Sequence, residues 1–296
     1  MSKAAGIAGD RLTLLQRLRR RCTRYGRPST ALAGVLLLLA GCALVAPAPV
    51  APPPSAPEIP QFQRLTDALI ERARRLDSMQ AEAVMDYAGG GQHVKVREEL
   101  AIKRPSSLRV QALTPFGVAA VVVANGTTVT IFQPSDNTFY RGAATAGTLS
   151  RFARIPLPPE QAVKLLMGLL PENEAYFAKP TSVRSENDMV IGTYDLPGGE
   201  VDELGFAGTQ LRMVRARNNS GNGYEVTYSD YRDIGGLQFA HRLDAGFLNT
   251  GTHLNVKYGG VIVNPTLGDS EFVLVPQGAA KVIDLDQPAP AAGSHG

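Results

Sequence analysis

The chain has 296 residues with 30 basic and 27 acidic side chains, a formal net charge of +3, and no tryptophan. Eight of the basic residues (Lys3, Arg11, Arg17, Arg19, Arg20, Arg21, Arg24 and Arg27) precede residue 42 against the single acid Asp10. From residue 42 on, 22 cations therefore face 26 anions, a net of −4. That balance excludes a basic nucleic-acid patch, and two cysteines, Cys22 and Cys42, exclude a disulfide-stapled scaffold.

After the arginine-rich leader comes the apolar run Ala31-Leu32-Ala33-Gly34-Val35-Leu36-Leu37-Leu38-Leu39. It is about half the ~20 residues a membrane-spanning helix needs. A basic segment, a short apolar segment and small residues at the end describe a secretory signal. The long leader is also what a start codon placed too early produces. Leu39-Ala40-Gly41-Cys42 resembles the lipobox of bacterial lipoproteins. That resemblance implies cleavage between Gly41 and Cys42, a diacylglycerol on the Cys42 sulfur and an acyl chain, of palmitate type, on its new amine. Ala43 in place of aspartate resembles an outer-membrane sorting signal. The expected location is the outer membrane, lipid-anchored and facing the periplasm.

The expected organisation is a signal peptide over 1–41, a lipidated cysteine with a proline-rich linker over 42–60, one domain over 61–286 and a disordered tail over 287–296. Pro47, Pro49, Pro52, Pro53, Pro54, Pro57 and Pro60 crowd the linker. Such a stretch is either a polyproline II spacer of ~3.1 Å per residue or a tail with no metric role.

Within 61–77, Phe62, Leu65, Leu69, Ala73 and Leu76 recur at helical spacing and predict an amphipathic helix that packs on a sheet. From Met79 the period changes to two, with Ala81, Ala83, Met85 and Tyr87 alternating with polar neighbours. Gly89-Gly90-Gly91 turns into a charged strand bearing Val94, Val96 and Leu100. Further strands are expected at 108–113, 118–124, 127–132 and 138–140, with Asn125-Gly126 as a hairpin turn. Pro158-Pro159-Glu160 opens a second helix, whose stripe Ala162, Leu165, Leu166 and Leu169 runs to Pro171. Strands return near 181–186, 189–195, 209–217, 223–231, 237–248 and 252–259, and strand-like runs follow at 271–276 and 282–285. Short turns between successive strands imply an antiparallel sheet, of about ten strands, that curls to bury one face.

The residues offer no active site. His93, His241, His253 and His295 stand apart, without metal-ligand spacing, and each is expected to be solvated. No nucleophile elbow, phosphate loop or dinucleotide fingerprint occurs, and Asp202 and Glu203 are adjacent, so that in a strand they would point to opposite faces. No enzyme, cofactor or metal is expected.

Three segments carry a further resemblance. Ile102-Lys103-Arg104-Pro105 followed by Leu108-Arg109-Val110 resembles the strand-turn-strand of LolA, the periplasmic lipoprotein carrier. Leu113-Thr114-Pro115-Phe116-Gly117 resembles the Pro-Leu-Gly loop of LolB, the outer-membrane lipoprotein acceptor. Leu157-Pro158-Pro159 leading to Leu166-Met167-Gly168-Leu169-Leu170-Pro171 resembles the later LolB helix. The layout is closest to LolB, although the extra length, the proline linker and the absence of tryptophan depart from it.

The resemblance implies a mainly β fold with helices (α+β), a half-open antiparallel barrel of about ten strands wrapped around the N-terminal and central helices, with an apolar cavity between. It implies a monomer that takes the acyl chains of lipoproteins, or another lipid, and passes them to the membrane, in the manner of a chaperone for lipoprotein transport. The partners implied are the membrane, the cargo and a LolA-like carrier. Phe116, between Pro115 and Gly117, is either exposed for membrane insertion or folded into the core. Arg104 either ties the sheet to a helical lid or is a surface cation. The alternative function is a scaffold lipoprotein that uses the same fold to bind envelope proteins.

Overall fold

The computed structural model describes residues 59–153, 155–171 and 174–287. Gly41, Cys42, the leader, the linker up to residue 58 and most of the tail lie outside the described residues; Ile59 and Pro60, expected in the linker, belong to the first helix. No described helix is long and apolar enough to cross a membrane.

Three helices and fourteen strands make up the described chain. The helices are α1 (Ile59–Arg74), α2 (Ala146–Ala153) and α3 (Pro159–Leu166). The first six strands are β1 (Ser78–Gly89), β2 (Gln92–Lys103), β3 (Ser107–Thr114), β4 (Gly117–Asn125), β5 (Thr128–Gln133) and β6 (Thr138–Ala143). After the helices come β7 (Ser182–Glu186), β8 (Met189–Asp195), β9 (Val201–Ala207), β10 (Gln210–Arg217), β11 (Gly223–Ile234), β12 (Leu237–Phe247), β13 (Thr252–Val263) and β14 (Lys281–Asp284).

All fourteen form one sheet in the order β14-β6-β5-β4-β3-β2-β1-β13-β12-β11-β10-β9-β8-β7. Every pairing is antiparallel except β14 with β6. The expected count of about ten strands is corrected to fourteen, and the sheet is not closed, with β7 and β14 as its edges. Of the fourteen strands, β9 alone lies in no expected run, its string Val-Asp-Glu-Leu-Gly-Phe-Ala being irregular; the total of about ten understated the runs the pattern marks. The helix α2, with no flanking proline, also escapes the pattern reading. The run 271–276 is likewise not a strand but begins in a short 3-10 turn, Asp269–Phe272.

Two sequence-distant strands, β1 and β13, meet at the middle of the sheet, from Met79 opposite Val263 to Ala88 opposite His253. One face is covered by the helices. Phe62, Thr66 and Leu69 of α1 are buried there, one helical turn apart. The Phe62 ring sits edge-on to Phe206 at 5.4 Å, and Thr66 Oγ1 lies 3.4 Å from the Tyr194 hydroxyl. The space for Phe62 exists because residue 192 is glycine: a Cβ there would lie 2.3 Å from the ring.

The opposite face is crossed by the C-terminal segment. Asn264 Oδ1 accepts from the Asp77 amide and Asn264 Nδ2 donates to the Arg75 carbonyl, which fixes the chain reversal after β13. Leu267 and Phe272 then bury against Ala101, Val121 and Val123. Lys103 Nζ donates to the Leu267 carbonyl at 3.2 Å. The segment ends by adding β14 to β6, and the Leu285 amide donates to the Arg141 carbonyl at 2.7 Å. On this same face, Glu203 accepts from Arg184 and Arg215, and Arg215 also donates to Glu225, a ladder across β7 to β11. Burial alone would raise the Glu203 pKa, but the two guanidiniums hold it below the usual carboxylate range.

Candidate functional site

Pro159 opens α3 with a fixed φ and no amide to satisfy, and Gly168 ends it in the left-handed region at φ 65. Gly168, two residues past the helix, marks its end earlier than Pro171. Val163 and Leu165 are buried. Past the end of α3 the Leu169 amide donates to Lys164 O at 2.9 Å and the Gly168 amide to Leu165 O at 3.0 Å, and side chains from elsewhere complete the cap. The Tyr228 hydroxyl donates to Leu165 O at 3.0 Å, the Tyr258 hydroxyl to Leu166 O at 2.8 Å, and Arg72 Nη1 to Gly168 O at 3.2 Å. Burial pushes both tyrosines well above the ordinary phenol range, so they remain donors across the physiological pH range.

Between α3 and β11–β13 the walls are hydrocarbon alone: Leu157, Leu165 and Leu166 face Val226, Leu243 and Phe247. The gap they leave is about 60 Å³. Small-molecule sites occupy roughly 300–1,000 Å³, so this stretch is a filled apolar seam rather than an open cavity.

Arg104 lies in the turn between β2 and β3. Its Nη1 donates to Ala73 O at 2.6 Å and Leu76 O at 3.3 Å, the carbonyls at the end of α1. A guanidinium there meets the negative end of the helix dipole. Beside it a pocket of about 230 Å³ opens between α1 and the α3 exit, lined by Leu69, Lys164, Leu169 and Phe177.

Phe116 stands at the tip of the β3–β4 hairpin, 99% exposed. Gly117 at φ 119 makes the turn, Thr114 Oγ1 donates to Gly117 O, and the Phe116 amide donates back to Thr114 Oγ1. Pro115 and Gly117 thus hold the ring away from the body of the protein. Leu248, at the β12–β13 turn on the same end of the sheet, is 51% exposed.

Two buried polar groups escaped the sequence reading. Glu98 lies on the inner face of β2 in line with Leu100 and Ile102, opposite Ala83 and Ala112. It makes no hydrogen bond or ion pair among the described residues, and burial pushes its pKa up to about 7. The parity of Val96, Leu100 and Ile102 was the available signal, hidden by the charges around it. His241, expected to be solvated, is buried on β12, its Nδ1 3.5 Å from Tyr258 O and its Nε2 without a partner. Its even spacing with Phe239 and Leu243 puts it on the inner face. His93 pairs with Asp86 at 2.6 Å in the open, and His295 lies outside the described residues. No group of His, Cys, Asp or Glu among the described residues is placed to hold a metal. Asp202 and Glu203 do take opposite faces, Asp202 accepting from the buried Tyr176 hydroxyl at 2.6 Å.

No family model matches the sequence, and no curated protein matches it. Among solved structures, a DUF1329 family protein from Desulfovibrio piger is similar, with a TM-score of 0.50 and 10% identity over 73% of this chain and 97% of that one. The two chains share a fold. A LolA superfamily protein from Nitrosomonas europaea matches at TM-score 0.48 and 13% identity, over 71% of this chain and 97% of that one. A putative outer membrane lipoprotein-sorting protein domain from Vibrio parahaemolyticus matches at 0.45 and 9%, over 73% and 97%.

Proposed function

We propose that this chain is a non-enzymatic, outer-membrane-anchored lipoprotein that takes up acyl chains and passes them to the bilayer. The observation that carries the reading is the seam under α3. It is hydrocarbon on both sides, and the polar bonds across it are the few that cap the end of α3. A displaced α3 exposes a continuous apolar wall to a ligand whose ~40 methylenes are each worth ~0.8 kcal/mol when buried. The 60 Å³ gap then belongs to the empty, closed form. Phe116, free of the core, is suited to enter the lipid surface at delivery. Arg104 holds α1 to the β2–β3 turn while α3 moves.

The test is native mass spectrometry of the full lipidated chain, purified from membranes in mild detergent. Bound lipid or acylated peptide, lost in Leu165→Gln, is the expected result. A chain that carries neither and takes up neither overturns the reading. Phe116→Ser is expected to leave the unfolding midpoint unchanged and to cut the transfer of a bound acylated peptide to vesicles severalfold. Unchanged transfer removes the insertion role.

The scaffold reading has its own support in the filled seam, since a closed core with an exposed apolar tip suits protein docking. Co-purifying envelope proteins with a lipid-free core would favour it.

A further inference from the structure

A second concavity, of about 290 Å³, lies at the sheet end that holds the β8–β9, β10–β11 and β12–β13 turns, roofed by the start of α3. Its character is the reverse of the seam. Gln161, Asn222 and Asn249 line it with carboxamides that make no hydrogen bond among the described residues, and the Tyr224 hydroxyl is equally unengaged. Asp202 borders the same space, its carboxylate already fixed by Tyr176. The wall of Leu157, Pro156 and Pro171 is apolar.

The turns that form the cup are rigid by their own bonds. Asn218 Oδ1 accepts from the Ser220 and Asn222 amides. The Leu196 amide donates to Glu200 O, and the Leu248 amide to Gly223 O. At residue 223 any side chain is excluded, because a Cβ would fall 1.9 Å from Ala216 O. The unengaged amides are therefore presented on a preorganised frame, which lowers the ordering cost of binding.

We propose that this cup binds a neutral saccharide. Each carboxamide offers a donor and an acceptor side by side, the pattern that matches neighbouring hydroxyls on a sugar ring. The apolar wall suits the ring's C–H face. Arg217 is outnumbered by Glu200 and Asp202 at the rim, so phosphate and sulfate are repelled rather than recruited. At the low end of small-molecule sites, the volume holds about one ring, with a chain extending into solvent. The proposal does not depend on acyl-chain carriage, which uses the other side of α3.

The test is titration of the full lipidated chain, in a detergent without a sugar headgroup, with chitotriose as probe and inorganic phosphate as control. Binding of chitotriose at ~1 mM or tighter is expected, weakened about tenfold in Asn222→Ala/Asn249→Ala. Both residues are exposed, so the variant's unfolding midpoint should match the parent's. No binding at ~10 mM chitotriose overturns the proposal. Equal binding by the double variant, or phosphate binding at this cup, does so too.

Discussion

Gly192→Ala is expected to lower stability by about 1–3 kcal/mol, the range for forcing extra volume into a packed core. A methyl group at 192 would lie 2.3 Å from one ring carbon of Phe62 and 2.4 Å from another. Neither side gives easily. Phe62 is fully buried against Phe206, and residue 192 is in the middle of β8, paired with both β7 and β9. The helix must therefore shift away from the sheet. Chemical denaturation of the two single variants and of Gly192→Ala/Phe62→Leu measures this directly. The smaller leucine is expected to recover part of the loss, giving a coupling between the two sites. Additive losses would mean that Phe62 does not occupy the space left by the glycine.

Glu98→Gln is expected to stabilise the protein by up to about 3 kcal/mol at pH 8 and to have little effect at pH 4. The folded state holds the Glu98 pKa at about 7, through burial, against 4.5 for the free side chain. Between those values the folded protein binds a proton that the unfolded chain has released, so stability falls as pH rises from about 4.5 to about 7. Above pH 7 the whole penalty of a buried carboxylate is present. Glutamine keeps the shape and removes the charge. Unfolding midpoints of both proteins across pH 4–8 should therefore converge at the acid end and part toward neutrality. Parallel curves would show that the Glu98 carboxylate reaches water.

Much of this was legible in the chain because local pattern and tertiary environment agree. The α1 stripe at Phe62, Leu65 and Leu69 is the face that packs, and the alternation from Met79 to Tyr87 gives the buried side of β1. Proline at the start of α3 and the Asn125-Gly126 turn sit where expected. The failures have physical reasons. A strand such as β9, buried on one face and salt-bridged on the other, places Asp202 inside and Glu203 outside, and so breaks the simple alternation. Whether an apolar seam is empty or filled depends on how Leu165 and Phe247 meet across it, which no single segment encodes. The polar cup is assembled from four separate stretches, none with a recognisable signature, and Glu98 was masked by its exposed neighbours.

The pairing of β1 with β13 bears on when this protein folds. Its first strand is completed on one side by the adjacent hairpin and on the other only by β13, the second-last strand in chain order. Closing that contact brings together segments separated by most of the domain, a slow, high-contact-order step whose entropy is lost before any neighbouring contact compensates. The middle of the sheet stays unpaired until nearly the whole chain is available to fold. A chain ending before Thr252 has no partner for the seam at its own centre.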